Sequence, residues 1–429
     1  MQVGVIGAGY VGLVTAACLA DLGHRVSILE TSLDRVQQLQ AGEIPFYEPG
    51  LAELVEAAQA AANLHVTADP AAALADAEVV LVCVGTPLAP DGEADLSQVE
   101  AACAAIRAHA PTCHVVVRST LPLGSTEQLA AWLDRADGES IATNPEFLRQ
   151  GSAIIDFRRP ARIVIGTVDG TDTPAAAAVQ ALYATFSAPV IVADYATAEM
   201  IKNAANAFLA AKLSFINEIA DLSEAFGADI DRVVEGIGLD PRIGPTHLRP
   251  GIGFGGSCLP KELANLVRLG QRRGLAMPLL ESAGRVNDGR VTQIADRLER
   301  LFGPVRGRRV AILGLAFKPN TDDLRYSPAL SLAERLVERG ARVVAHDPVV
   351  GVDRTRQITG LERVTEAAQA VAAADIVVLG TEWDAYRDLP WEELAGVART
   401  PFLFDGRNAL DHERLQRAGW RVAAVGHAS

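Results

Sequence analysis

Short, almost uninterrupted apolar runs recur along the chain, each closing on glycine, threonine or a charged residue. In the first third they cover residues 2–6, 25–29, 78–84 and 115–117. Runs this short, bounded by turn residues and lacking polar alternation, are the pattern of strands buried on both faces of a parallel sheet. Residues 196–226 differ. They hold neither proline nor glycine, and Gly227 follows as a carboxyl cap, which predicts one long helix. Further helices are expected at 262–273 and 278–301, giving an all-helical middle. Beyond a linker ending at Arg309, strand patterns return at 310–315, 341–346, 374–380 and 401–404, with a helix at 328–339 before Gly340.

The junction after the first run carries the clearest chemistry. Residues 2–6 lead into Gly7-Ala8-Gly9-Tyr10-Val11-Gly12, then a helix ending near Gly23, then the run 25–29 closed by Glu30. Strand, glycine triplet, helix, strand and acid in that order make a dinucleotide-binding βαβ unit. Gly7 makes the tight turn, Gly9 lets a pyrophosphate approach the backbone, and Gly12 permits close helix-to-strand packing. The free N–H groups at the helix start favour negative charge. Glu30, eighteen residues past Gly12, is placed to accept from the adenosine ribose and to repel a 2′-phosphate, so NAD is expected rather than NADP. Arg35 is open to two readings, a ribose contact or a solvated helix residue. The turn at 314–318 repeats the topology without the fingerprint, so the second βαβ unit is expected to take a different ligand. The expected fold class is α/β: two Rossmann-like doubly wound domains joined by a long central helix and a helical middle domain. The expected boundaries are 1–195, 196–300 and 301–429.

Composition narrows the setting. A chain of 429 residues outgrows one hydrophobic core, and 49% apolar with 21% charged residues is a globular balance. A formal charge of −14 argues against nucleic acid or an anionic membrane surface as partner, since both need a basic footprint. The uncharged stretch 3–20 lacks a basic leader and its glycines belong to the fingerprint, so neither a signal peptide nor a membrane span is expected. The cysteines, Cys18, Cys83, Cys103, Cys113 and Cys258, form no Cys-x-x-Cys pair and are odd in number. A reducing, cytoplasmic setting follows rather than a disulfide framework.

Candidate side chains gather at strand ends and in one glycine-rich stretch. Thr86 and Thr120 follow strand-like runs, where ligands of open parallel sheets bind, although each could simply cap the next helix. Glu146 is the acid/base candidate of this third. Lys202 and Asn206, four residues apart on the long helix, share a face; they are either partnered functional groups or a snorkelling lysine beside a core amide. Residues 251–261 read Gly-Ile-Gly-Phe-Gly-Gly-Ser-Cys-Leu-Pro-Lys. Gly253, Gly255 and Gly256 suggest a loop shaped around something bound, and Cys258 is a nucleophile or a small buried hydrophobe. Lys318 and Arg407, at strand ends, face a phosphate, a uracil-type ring or solvent.

Taken in order, these segments resemble the nucleotide-sugar 6-dehydrogenase family over nearly the whole chain. The shared motifs are Gly-Ala-Gly-Tyr-Val-Gly from 7, Tyr-Glu-Pro-Gly-Leu from 47, Gly-Thr-Pro from 85, Ser-Thr-Leu-Pro from 119, Asn-Pro-Glu-Phe-Leu from 144, Gly-Phe-Gly-Gly-Ser-Cys from 253 and Asp-Gly-Arg-Asn from 405. The resemblance implies NAD-dependent, four-electron oxidation of a sugar alcohol to a carboxylate, with UDP-glucose as the expected substrate. It implies that a Cys258 thiolate traps the aldehyde as a thiohemiacetal and later carries a thioester. Lys261 or Lys202 would lower the thiol pKa, Lys202 and Asn206 would stabilise the oxyanion, and Glu146 and Thr120 would position water or a proton. Cofactor contacts are implied at Tyr10, Val11, Thr86, Thr120, Lys261 and Arg325. Substrate contacts are implied at Glu146, Phe147, Leu148, Gly255, Lys318 and Arg407, with Arg242 reaching across a homodimer interface.

Three positions depart from the family pattern: Glu262 where aspartate usually serves the water network, Gln150 where a second glutamate is common, and Tyr326 where an acid is usual. Two alternatives stay open, the same chemistry on GDP-mannose or UDP-N-acetylmannosamine, and a sugar-nucleotide binding protein that has lost hydrolysis. No metal is expected.

Overall fold

The computed structural model describes residues 1–87, 94–135, 138–351 and 358–428. They fall into two compact units, Met1–Ala204 and Ala205–Ser429, whose boundary lies inside the helix Tyr195–Phe226.

In the first unit the four apolar runs become β1 (Gln2–Ile6), β2 (Arg25–Leu29), β4 (Val79–Val82) and β5 (His114–Val117), and the structure adds β3 (Leu64–Thr67), β6 (Ile141–Thr143), β7 (Ile163–Thr167) and β8 (Val190–Asp194). Among the described residues they form one sheet in the order β3-β2-β1-β4-β5-β6-β7-β8. The first six strands pair in parallel, β7 meets β6 antiparallel, and β8 runs parallel to β7. The runs lack polar alternation because both faces are covered. Val3, Val5 and Ile28 point into one core, and Ile6, Leu29, Val80, Val82, Val115 and Val117 into another. Chain order reverses between β1 and β4, so a ligand crevice is expected beyond the carboxyl ends of those two strands.

The second unit contains β9 (Arg309–Leu313), β10 (Arg342–His346), β11 (Leu361–Arg363), β12 (Ile376–Leu379), β13 (Phe402–Asp405) and β14 (Arg421–Ala424). They make a parallel sheet in the order β11-β10-β9-β12-β13-β14 among the described residues. Ahead of it come the helices Ile230–Gly238, Leu259–Arg272 and Pro278–Phe302. The second of these starts at Leu259, three residues earlier than the sequence suggested. Pro260 sits in its first turn, where a fixed φ suits the helix and no N–H is missed. Cys258 is thereby the residue that caps its amino end.

Candidate functional site

In the first unit the fingerprint glycines do three different jobs. Gly7 has φ +100°, and a Cβ there would stand 2.9 Å from the Cys83 carbonyl oxygen; one at Gly12 would stand 1.9 Å from the Gly7 carbonyl oxygen. A Cβ at Gly9 would meet nothing within 4 Å. The helix Tyr10–Asp21 has no side chain capping its start, so its N–H groups and dipole face that open space. The Glu30 carboxylate, buried at the end of β2, accepts from the Ala8 amide at 3.0 Å and the Ser32 amide at 2.9 Å, and the Arg35 guanidinium lies 3.5 Å away. Open space over Gly9, an uncapped helix start and an acid at the second strand end fit a dinucleotide. Val11 is half-buried against the core.

Tyr10 turns inward, and its hydroxyl donates to Glu48. Glu48 is buried and also accepts from the amides of Gly151 at 2.5 Å and Ala153 at 2.8 Å. Burial first, and then the Glu48 carboxylate, hold the Tyr10 phenol protonated well above its ordinary range. Glu48 thus ties the fingerprint helix to the turn after Asn144-Pro145-Glu146. The sequence marked it only as a letter of a motif.

Thr86 and Thr120 come together: the Thr86 hydroxyl donates to the Thr120 carbonyl at 2.9 Å. The loop after Thr120 is fastened by Glu199, which accepts from the Gly124 amide at 2.6 Å, the Thr126 amide at 3.1 Å and the Thr126 hydroxyl at 2.5 Å. Burial raises the Glu199 pKa against those donors. Sequence reasoning missed Glu199, whose only signal was an acid one helical turn before Lys202. Lys202 is buried and partnered: its ammonium donates to the Glu146 carbonyl at 2.6 Å and to Glu146 Oε1 at 3.2 Å. It also lies 5.2 Å from the centre of the Phe147 ring. The other Glu146 oxygen accepts from the Leu148 amide at 2.6 Å. Lys202, Glu146, Phe147 and Leu148 therefore form one cluster.

In the second unit Cys258 is exposed, whereas Cys18, Cys83, Cys103 and Cys113 are buried. Burial pushes the Cys103 thiol up to about 11 and those of Cys18 and Cys83 up to about 12. Cys258 stands at the start of a helix, where the dipole favours negative charge. Lys261 and Arg325 both lie within electrostatic reach of that sulfur. The Lys261 pKa is lowered by burial, with Glu262 and Cys258 opposing the shift. Arg325 forks onto Asp323 at 2.6 to 3.0 Å. Asn206 Nδ2 donates to the buried Glu262 at 2.6 Å, so amide and carboxylate act as a pair.

The glycine loop is packed against the chain itself. A Cβ at Gly255 would stand 2.0 Å from the Tyr326 carbonyl oxygen, and one at Gly256 (φ +84°) 2.7 Å from the Phe317 ring. Gly251 donates to Asn217 Oδ1 and Phe254 to Asn287 Oδ1, both at 2.8 Å. The space these glycines open is filled by protein. Arg407 completes the anchoring. Its guanidinium donates to the carbonyls of Gly380 at 2.8 Å, Gly253 at 3.1 Å and Phe317 at 3.4 Å. Lys318 lies beside the Phe317 ring, 5.8 Å from its centre. Arg242 stands apart, exposed on the turn after Ile230–Gly238 and paired with Asp240 at 2.5 Å.

The second βαβ turn is closed from within. Asp347, at the end of β10, accepts from the amides of Leu315 at 2.7 Å and Ala316 at 3.0 Å, and Ser327 caps the following helix Pro328–Glu338. The groups that would cradle a pyrophosphate there are already used, in keeping with a different ligand for this sheet.

Three parts of the UDP-glucose/GDP-mannose dehydrogenase family match the chain: its NAD binding domain at residues 1–187, its central domain at 196–289 and its UDP binding domain at 311–412. A UDP-glucose 6-dehydrogenase of Rhizobium meliloti (strain 1021) is 42% identical, over 99% of both chains. The solved UDP-glucose dehydrogenase of Pyrobaculum islandicum is 38% identical, covering 100% of this chain and 98% of its own, with a TM-score of 0.89. A UDP-D-ManNAc dehydrogenase of Pyrococcus horikoshii is 26% identical over 99% of both chains, with a TM-score of 0.85. Among the described residues no helix is long and apolar enough to cross a membrane.

Proposed function

The chain belongs to the UDP-glucose/GDP-mannose dehydrogenase family, and from that premise we propose that it oxidises UDP-glucose to UDP-glucuronate with NAD. It is an NAD-dependent dehydrogenase of nucleotide sugars. UDP-glucose is favoured because the full-length relatives at 38 to 42% identity carry that name, while the UDP-D-ManNAc enzyme stands at 26%. The open space over Gly9 and the Glu30 carboxylate would hold NAD, and two NAD, one for each of two successive oxidations, would supply the hydride acceptors.

The observation that carries the mechanism is the exposed thiol of Cys258 at a helix start, within reach of two cations and one helical turn before Glu262, which Asn206 holds. In the proposed sequence the primary alcohol loses a hydride and a proton to become an aldehyde. The Cys258 thiolate adds to the aldehyde carbon, and the resulting oxyanion takes a proton as the thiohemiacetal forms. Loss of a second hydride and that proton leaves a thioester, and water cleaves the carbon–sulfur bond to give the carboxylate and free thiolate. Holding the aldehyde on sulfur keeps it from escaping between the two oxidations. Lys202 and Asn206 are assigned to the oxyanion, Thr120 and Glu146 to proton and water placement, and Glu262 to the water that cleaves the thioester.

A homodimer is also inferred. Phe208, Phe215, Leu222 and Phe226 lie at near-heptad spacing on one helix and are 66, 51, 54 and 84% exposed. An apolar stripe of this kind marks an interface. Arg242 is assigned to the partner's substrate. The decisive experiment counts NADH formed per UDP-glucose consumed. Two are expected, and one would overturn the reading. Cys258→Ser is expected to bind both ligands and to lose net turnover; full activity would rule out the thioester.

A further inference from the structure

A cavity of about 270 Å³ in the first unit is lined by Arg118, Arg159 and Arg162, none of which has a carboxylate partner among the described residues. Its other charges are matched. Asp156 is taken by Arg149 at 2.6 Å and Glu146 by Lys202 at 3.2 Å. Arg118 is 4% exposed, and its Nη1 donates only to the neutral Asn144 Oδ1 and Tyr183 hydroxyl, while its Nε is buried without a partner. A buried cation without a counter-charge is strongly unfavourable, and the cost falls when an anion enters beside it. Arg162 stacks over Phe147 at 3.8 Å, and burial lowers its pKa with no acid opposing the shift. Arg159 stands at the exposed rim.

We propose that this cavity is an anion site for a phosphomonoester dianion, separate from the dinucleotide site and backed against the segment of Glu146, Phe147 and Leu148 implied in substrate contact, on a side that the nucleotide sugar leaves open. Three uncompensated guanidinium groups call for more than one negative charge, and their fork geometry suits phosphate oxygens. Phe147, Leu148 and Phe157, which also line the cavity, offer apolar surface to a small organic tail. The Phe147 ring meets Arg162 from this cavity and also the Lys202 ammonium, so an occupant would press on the segment to which the proposed function assigns proton placement. To that extent the inference rests on that reading.

Inorganic phosphate is the probe, added to the full-length protein against chloride at matched ionic strength. The unfolding temperature is expected to rise saturably, by about 3 °C, and equally in the presence of saturating UDP-glucose. The rise should vanish in Arg162→Gln and shrink in Arg159→Gln, the latter a rim substitution that leaves folding intact. No rise, or the same rise in both variants, overturns the site. A rise abolished by UDP-glucose also overturns it, by making the cavity part of the substrate site. Phosphate binding without UDP-glucose turnover would sink the proposed activity and leave the anion site standing.

Discussion

At the scale of single residues the pairing of Lys202 with Glu146 is the most consequential contact. Both are buried, at 5% and 7% exposure, and they lie 3.2 Å apart. Removing one partner of a buried pair strands the other charge, which costs about 3 kcal/mol. Lys202→Met is therefore expected to lower stability by that order as well as abolish turnover, and adding Glu146→Gln should recover part of the loss. Urea unfolding of the two single variants and the double variant measures the coupling, and simple additivity would show that the pair is not coupled. The residue types at this site were legible in the sequence, because an acid after proline at a strand end and a lysine on an apolar helix both ask for explanation. That they answer each other was not legible, since 56 residues separate them. Glu48 and Glu199 escaped for the same reason: their work lies in main-chain amides of remote loops.

Among elements, the glycine loops show how one letter carries two meanings. Gly9 has φ −72° and open space around it, whereas Gly255 lies against the Tyr326 carbonyl. Gly9→Ala should leave stability within about 1 kcal/mol and weaken NAD binding at least about tenfold, because the new methyl occupies the approach to the backbone. Gly255→Ala should destabilise the fold by roughly 3 kcal/mol or more, since backbone must move to admit it. Equal effects on folding would refute the distinction, which calorimetry and cofactor titration can measure. The inner strands β1, β4, β5, β9, β12 and β13 were readable to within a few residues because they are covered on both faces, whereas the outer strands β3, β8, β11 and β14 carry exposed positions and gave no such run. What fills the space beside each glycine was not readable from composition or spacing. The turn after β13 adds a pH dependence. Fully buried Asp405 accepts from the amides of Arg407, Ala409 and Leu410 and from His412 Nε2 at 3.1 Å. That hydrogen bond, ahead of the opposing effect of burial, raises the His412 pKa above 6.5. A raised folded pKa gives stability that is complete below 6.5 and is lost as pH climbs through the raised value. Thermal unfolding of wild type should therefore fall over that interval more steeply than that of His412→Gln, and parallel profiles would refute the contribution.

For the whole molecule the question is what covers the stripe on Tyr195–Phe226. Phe208, Phe215 and Leu222 recur every seven residues and Phe226 follows one turn later, all more than half exposed. Four large apolar side chains in line are more than scattered surface residues, and water contact over their combined area is unfavourable by several kcal/mol, of order 25 cal/mol per Å². A second copy of the chain offers the same stripe, and a two-fold axis lets it meet itself. Two substitutions separate assembly from chemistry. Phe215→Asp places a charge in the middle of the stripe and should convert the dimer to monomer in sedimentation analysis, with folding retained because the residue is exposed. Arg242→Ala should leave the dimer intact, since among the described residues that side chain pairs with Asp240 and is no part of the apolar stripe. If Arg242 serves the partner's substrate, both variants lose turnover, and mixing Arg242→Ala with a Cys258→Ser chain restores up to half the activity expected per heterodimer pair. Restoration can occur only when one site keeps its own cysteine and receives an intact arginine from the other chain. A monomeric wild type, or a mixture with no recovered activity despite subunit exchange, would refute the composite site.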